Sequence, residues 1–420
     1  MARCAAQSWR RGDCLDAIRS GKGATTLFRN FLPSDGSEPR RRGSARRVTR
    51  PLLLLIAVFA LLTAFGCTAG SLYDPKPWAA PVFLADETVV IGTDTGHIVV
   101  GNIVTGQELG RCETGEGRNS IRAIFGAPLL HDGRIYAGGF DGVLYAINPD
   151  SLLPESEAEC LPFFEADSAI VGGPTLTPDG VLLLGTEGTT DTERGTLYAI
   201  DINNASTLWT FEADSQIWGT PVIGDGLVYI ATLGGTLHAV HMEESPGTEA
   251  WRHQAEAGIG GMTLHEGVLY AGAFDNNLYA LDAATGAPRW SAPFTADNWF
   301  WAAPLITGDR LFAPSLDHSL YILDKDTGAQ VMDPVMTGGA IQSNPALTGS
   351  HISIANEEKE TWWIDPETGQ GIVGGKLPDP VYAPIVAFGE SDALFFAQDG
   401  AIYRASPSLR QPVRVFPVDN

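Results

Sequence analysis

Three stretches carry residue types that chemistry could use. The first, His238 and His241, has the spacing of an HxxH metal pair. On a strand, residues three apart face opposite sides, so the two imidazoles cannot readily clamp one ion. His238 also stands where related segments have tyrosine in a repeated Leu-Tyr-Ala, which reads as a packing variant. The second, "SGKGATT" at residues 20–26, has the glycine and lysine of a phosphate loop, but Asp16 occupies a required glycine position and Gly23 follows Lys22. The third, "LYALDAATGAPRW" at residues 278–290, holds Asp282, Thr285, Gly286 and Trp290 at fixed spacing. Here the carboxylate can accept backbone N–H bonds two or three residues on, and Gly286 can adopt a left-handed conformation. Trp290 can bury a large ring against a neighbouring element, worth about 2–3 kcal/mol. The chain has no GxSxG, no Cys/His nucleophile pair and no CxxC, and its many carboxylates sit mainly in repeated turns, where they cap backbone amides.

The elements that position these residues form a repeat. A half-phrase of small residues, proline and an apolar run recurs at Pro81, Pro128, Pro174, Pro221, Pro304, Pro345 and Pro384, with Met262 in the one degenerate copy, "IGGMTL". Successive spacings are 47, 46, 47, 41, 42, 41 and 39 residues, giving eight units. A second half-phrase follows, as in "GRIYAGGFDGVLYAIN" and "GVLYAGAFDNNLYALD", where apolar residues alternate around Asp-Gly or Asp-Asn. That is the pattern of two strands joined by a tight turn. Four strands in each unit of this length is the arithmetic of a propeller blade. The residues before the proline, such as Ala79-Ala80, Gly172-Gly173 and Gly260-Gly261, are small, as expected where eight innermost strands crowd one axis.

"ALDAATGAPRW" matches in full the AxDxxTGxxxW tryptophan-docking motif of quinoprotein-type eight-bladed propellers, so residues 78–420 resemble that family. Partial copies are "AIDINNASTLW" with Asp201 and Trp209, "ILDKDTG" with Asp324 and Gly328, "WIDPETG" with Asp365 and Gly369, and "NIVTG" at residues 102–106. A copy lengthened by two residues ends at Trp251. The resemblance implies an all-β, eight-bladed β-propeller of four-stranded antiparallel blades, with these residues in blade docking. Quinoprotein dehydrogenases of this fold bind pyrroloquinoline quinone with calcium or a lanthanide, and many add a ring of two adjacent cysteines. This chain has no Cys-Cys pair, is shorter than typical members and offers no alignable Glu/Asn/Asp ligand set. The expectation is therefore a non-catalytic propeller without cofactor or metal, similar in character to BamB-type outer-membrane assembly lipoproteins. A quinoprotein enzyme using the quinone with calcium, and a small-ligand or carbohydrate-binding propeller, are the alternatives.

The composition is 44% hydrophobic, with 48 glycines and 27 prolines, which suits many short strands joined by turns. Of the 27 basic residues, 12 fall in residues 1–67 beside only four of the 50 acids, leaving 15 basic against 46 acidic residues after Cys67. Such a surface repels phosphate backbones and excludes nucleic acid as a partner. The basic stretch precedes an uncharged apolar run, residues 51–66, shorter than the ~20 residues of a spanning helix and ending in small residues before Cys67. This resembles a bacterial lipoprotein signal. It implies lipidation at Cys67, export to the outer face of a bacterial membrane and protein partners in the envelope. The alternative is an uncleaved membrane anchor. The organisation is a basic segment 1–47, which a start of translation near Val48 would remove, a signal 48–67, a linker 68–77 and the propeller 78–420.

Cys112 and Cys160 lie in adjacent units and are either a disulfide or two separate thiols. The separate reading is favoured because pairing needs Cα atoms within ~7 Å. Three residues before each proline stand Trp78, Phe125, Val171, Trp218, Ile259, Trp301, Gln342 and Val381. Under pseudo-symmetry these ring one end of the axis, so the aromatics Trp78, Phe125, Trp218 and Trp301 are a candidate partner-binding ring. The competing reading is that they plug the channel or pack between blades. Trp299 and Phe300 in "DNWFWAAP", and Trp362 and Trp363 in "TWWID", add aromatics of which alternate residues should be core. The last blade closes either with an outer strand from residues 406–420 or with residues 71–78 reaching across.

Overall fold

The computed structural model describes residues 80–417 apart from 86, 94, 115–122, 153–159 and 190. Cys67, Trp78, the signal segment and the linker lie outside the described residues. Eight four-stranded antiparallel sheets follow one another, each pairing its strands in chain order. These are blades 1 to 8, spanning 82–113, 129–165, 175–212, 222–254, 259–295, 305–336, 346–376 and 386–416. No helix among the described residues is long and apolar enough to cross a membrane.

The sequence pattern explains each strand's depth. In blade 4 the second strand, Leu227–Ala231, is buried at every position, because both faces of its sheet are covered by neighbouring blades. The outermost strand of blade 3, Thr207–Glu212, alternates half-buried and exposed residues and forms the rim. The segments leading into the first strands of adjoining blades approach so closely that a Cβ on Gly126 would lie 2.2 Å from the Gly173 nitrogen. One on Gly261 would lie 2.1 Å from the Ala303 nitrogen. This crowding accounts for the small residues before the repeated proline. Where Met262 replaces that proline, the innermost strand Ile259–His265 runs for seven residues, with one register irregularity.

A hydrophobic layer fills each gap between blades. Val90, Ile98, Ile135 and Tyr145 join blades 1 and 2, and Val268, Tyr270, Leu311 and Leu323 join blades 5 and 6. The last layer closes the ring, with Leu394, Phe396 and Phe416 of blade 8 against Val89, Ile91 and Val99 of blade 1. Phe83 and Phe388 stack there with centroids 5.8 Å apart. Each fully buried side chain of this size contributes about 1.5–3 kcal/mol. The outermost strand of blade 8 is Val413–Phe416, paired with Ile402–Ala405, so the C-terminal segment completes the blade. Closure between blades 8 and 1 rests on side-chain packing.

Two differences from the sequence reading have local causes. The outermost strands of blades 5 and 6 shrink to Phe294–Thr295 and Val335–Met336, and Trp290 sits on a bend before the strand instead of within it. Pro288 and Pro293 in blade 5, and Pro334 in blade 6, remove the N–H groups that a longer ladder would need. Cys112 and Cys160 form a disulfide with their Cα atoms 5.1 Å apart, in place of the favoured separate thiols. The Cys160 N–H donates to the Glu113 carbonyl at 2.7 Å, which draws the two blade edges together. The bond bridges 48 residues, and in the chain-entropy picture a loop of that size stabilises by about 4 kcal/mol. A Cys112→Ser/Cys160→Ser variant should therefore show a lower urea midpoint than the oxidised protein. Reduction should lower the wild type by the same amount and leave the variant unchanged.

Candidate functional site

The fixed-spacing motif is a joint between blades. Asp282 Oδ1 accepts from the Thr285 backbone N–H at 3.0 Å and from its hydroxyl at 2.7 Å, while Gly286 N–H donates to the Asp282 carbonyl at 2.8 Å. Asp324 repeats this with Thr327 and Gly328, and Asp365 with Thr368 and Gly369. In blade 3, Asp201 accepts from Asn203, and Ala205 takes the left-handed position at φ 59°. The glycine has a second role that was not apparent from spacing. A Cβ on Gly286 would lie 2.6 Å from the Trp251 ring of the preceding blade, and one on Gly328 the same distance from Trp290. Trp209 lies likewise against Gly247, with 3.3 Å to such a Cβ, while Met332 takes the ring's place at Gly369.

Two docking rings, Trp251 and Trp290, are also tied by a hydrogen bond to a carbonyl of the next blade. Trp251 Nε1 and the Tyr229 hydroxyl both donate to the Ala283 carbonyl at 2.9 Å. One blade on, Trp290 Nε1 and the Tyr270 hydroxyl donate to the Lys325 carbonyl at 2.9 and 3.1 Å. Burial, with Asp225 and Asp282 nearby, pushes the Tyr229 phenol up to about 12. Thus Trp209, Trp251 and Trp290 lie against glycines in turns of the following blade, and Asp201, Asp282, Thr285, Gly286, Asp324, Gly328, Asp365 and Gly369 lie within turns of this kind.

The mouth lies at the opposite end of the strands from these joints. There, turns after a second strand are tied to the crossing segment that enters the same blade. Phe140 N–H donates to the Ala123 carbonyl at 2.9 Å, Phe274 to Gly258 at 2.8 Å and Leu316 to Trp299 at 2.9 Å. Four Asp–Tyr pairs, legible as Asp-x-x-x-Tyr but read from sequence only as turns, brace these hairpins. The hydroxyls of Tyr145, Tyr279, Tyr321 and Tyr403 donate to Asp141, Asp275, Asp317 and Asp399 at 2.5–2.7 Å. Burial and the bond to Asp317 push Tyr321 up to about 12, and Tyr279 and Tyr403 shift in the same direction for the same reasons.

The expected aromatic ring separates into two groups. Phe125 is buried in a small cluster with Ala123 and Val171, against which Phe140 and Trp218 pack. Burial pushes the Glu187 carboxyl above its ordinary range. Trp301 stacks instead on Phe274 at 5.2 Å, with Trp299 on Phe274 at 5.1 Å. Ile259 and Val381 turn into inter-blade cores, and Phe300 and Trp363 are fully buried. Thus Trp218, Trp299 and Trp301 are the half-buried tryptophans at the mouth.

His238 is more than a packing variant. Its ring is buried, with Nδ1 2.6 Å from Glu249 Oε1 and Nε2 3.2 Å from Asp214 Oδ1, and Phe211 meets it edge-on. Burial opposes ionisation of Asp214, but hydrogen bonds from Thr236, His238 and Thr232 outweigh it and hold the carboxyl below its ordinary range. Asp214 follows blade 3 and the other partners belong to blade 4, so the cluster is an inter-blade staple. Its partners come from segments too distant for the sequence to pair. Among the described residues, no group of three or more His, Cys, Asp or Glu side chains could hold a metal ion.

Comparison with known proteins gives this architecture a lineage. The family model described as outer membrane protein assembly factor BamB matches residues 155–373. The chain belongs to that family. BamB of Yersinia pestis is 21% identical over 374 residues, covering 81% of this chain and 86% of that protein. The solved BamB from Moraxella catarrhalis shares the fold, with a TM-score of 0.59 at 16% identity over 78% of this chain and 94% of that one. A quinohemoprotein alcohol dehydrogenase of Comamonas testosteroni is 29% identical over 106 residues. That match spans 22% of this chain and only 15% of the enzyme's length.

The joints give a pH dependence. The carboxyls of Asp282 and Asp324 are lowered from 3.8, chiefly by the Thr285 and Thr327 hydroxyls, and Asp365 is lowered by backbone N–H bonds from Thr368 and Glu367. A folded-state value below the unfolded one stabilises above the unfolded value and is lost as pH falls through the folded one. Urea midpoints should hold steady down to about pH 5 and fall progressively below it. An Asp282→Asn/Asp324→Asn variant should show a shallower fall, and an unchanged slope would contradict this assignment.

Proposed function

We propose that the chain is a non-catalytic, membrane-tethered β-propeller on the outer side of a bacterial membrane, binding protein partners in envelope protein assembly. The observation that carries this reading is the contrast between the two ends of the ring. The motif residues are consumed by blade joints, while Trp218, Trp299, Trp301 and Phe274 stay half-buried at the mouth on a scaffold held by eight inter-blade layers. Large rings with one face packed and another reachable are the residues that anchor protein interfaces. The BamB relatives, named as assembly factors, parallel most of this chain and support the same reading. The tether is Cys67, whose preceding apolar run has the length and small-residue ending of a lipoprotein signal.

Crosslinking in intact cells, followed by capture of the full chain, should enrich proteins of envelope assembly. A Trp218→Ala/Trp301→Ala variant should lose that enrichment while remaining folded. A Cys67→Ser variant should leave the membrane fraction or accumulate unprocessed. Failure to enrich any envelope protein, or stoichiometric quinone binding with dye-linked alcohol oxidation, would contradict the scaffold reading.

A further inference from the structure

The mouth between blades 4 and 6 carries an arrangement that no joint uses. Phe274 stacks with two indoles, Trp299 at 5.1 Å and 28° and Trp301 at 5.2 Å and 12°. The three rings are half-buried. The turns that hold them also place carboxylates in adjacent pairs. The Glu256 N–H donates to Asp275 Oδ2 at 3.0 Å, and the Asp297 N–H to Asp317 Oδ2 at 3.1 Å. The Glu256 and Asp297 side chains are exposed, and segments 255–258, 273–277, 296–302 and 315–319 contain no lysine or arginine. By contrast, Lys325 and Arg310 of blade 6 lie at the joint end, where Lys325 pairs with Glu266 and Arg310 with Glu367.

An aromatic face attracts cations through its quadrupole, and a rim of carboxylates reinforces that attraction. Guanidinium suits such a site better than ammonium, because it is planar, weakly hydrated and able to stack while its N–H fork reaches carboxylate oxygens. The excess of 46 acidic over 15 basic residues after Cys67 extends the field around the site. We propose that the Trp299–Phe274–Trp301 stack and its acidic rim bind an arginine side chain presented by an extended basic segment of a protein partner. The protein nature of the partner rests on the scaffold reading; the cation site stands on its own geometry.

The test titrates the full chain in detergent with a fluorescent (Gly-Arg)5 peptide, beside (Gly-Lys)5 and (Gly-Glu)5. The arginine peptide should bind, alter tryptophan emission and weaken as salt is raised. The lysine peptide should bind several-fold more weakly and the glutamate peptide not at all. Phe274→Ala or Trp301→Ala should weaken the arginine peptide by roughly tenfold. Because those rings also pack, a Glu256→Gln/Asp297→Asn variant changes only exposed carboxylates and should weaken binding roughly threefold or more, with unchanged thermal unfolding. No binding at low salt, equal binding of the arginine and lysine peptides, or binding untouched by both kinds of variant would overturn the site. Free arginine binding as tightly as the peptide would overturn the extended segment. Envelope partners recovered equally by wild type and Glu256→Gln/Asp297→Asn would remove the arginine site and leave the scaffold. Peptide binding as expected with no partner recovered from membranes would remove the scaffold and leave the site.

Discussion

The docking of one blade's ring onto the next blade's turn is the contact on which the rest of the molecule depends. A four-stranded sheet buries neither face by itself, and its outermost strand presents an open edge. At the joints between blades 4, 5 and 6, the indoles of Trp251 and Trp290 lie where Gly286 and Gly328 leave room, and their N–H groups reach Ala283 and Lys325. Burial and hydrogen bonding thus fix the spacing and tilt of neighbouring blades together. Other blades add or substitute further means: a disulfide between blades 1 and 2, the His238 cluster beside the Trp209–Gly247 contact between 3 and 4, and aromatic packing between 8 and 1.

This division of labour bears on function. Residues that resemble an active-site signature are spent on joints at one end, and the half-buried tryptophans of the mouth lie at the other. The Asp–Tyr pairs brace the mouth hairpins, while the connecting segments carry half-buried aromatics and exposed acids. The chain belongs to the BamB family, and its joints and its mouth lie at opposite ends of the strands.

Much of the fold was legible in the sequence because the repeat is written in local terms. Proline spacing set the number of blades, and the alternation around Asp-Gly and Asp-Asn set the hairpins. What escaped involved partners far apart in the chain. The Gly286 clearance is for a ring 35 residues earlier, at Trp251. His238 pairs with Asp214, 24 residues away, and the Cys112–Cys160 bond required a separation that spacing alone could not supply. In the aromatic set, Phe125 follows the packing reading, Trp218 and Trp301 are half-buried, and Phe274, from a different turn, carried no signal in the repeat. Repeat positions are equivalent in backbone, while side-chain direction depends on the neighbours each blade happens to have.

A double-mutant cycle between Trp251 and Gly286 tests the joint directly, with stability measured by urea unfolding. Gly286→Ala alone combines the strain of a side chain at φ 72° with a collision against the indole. In a Trp251→Ala background only the strain remains, so the cost of Gly286→Ala should fall by about 0.5–3 kcal/mol. An equal cost in both backgrounds would mean that the ring does not rest on the glycine and that the blades are held together in some other way.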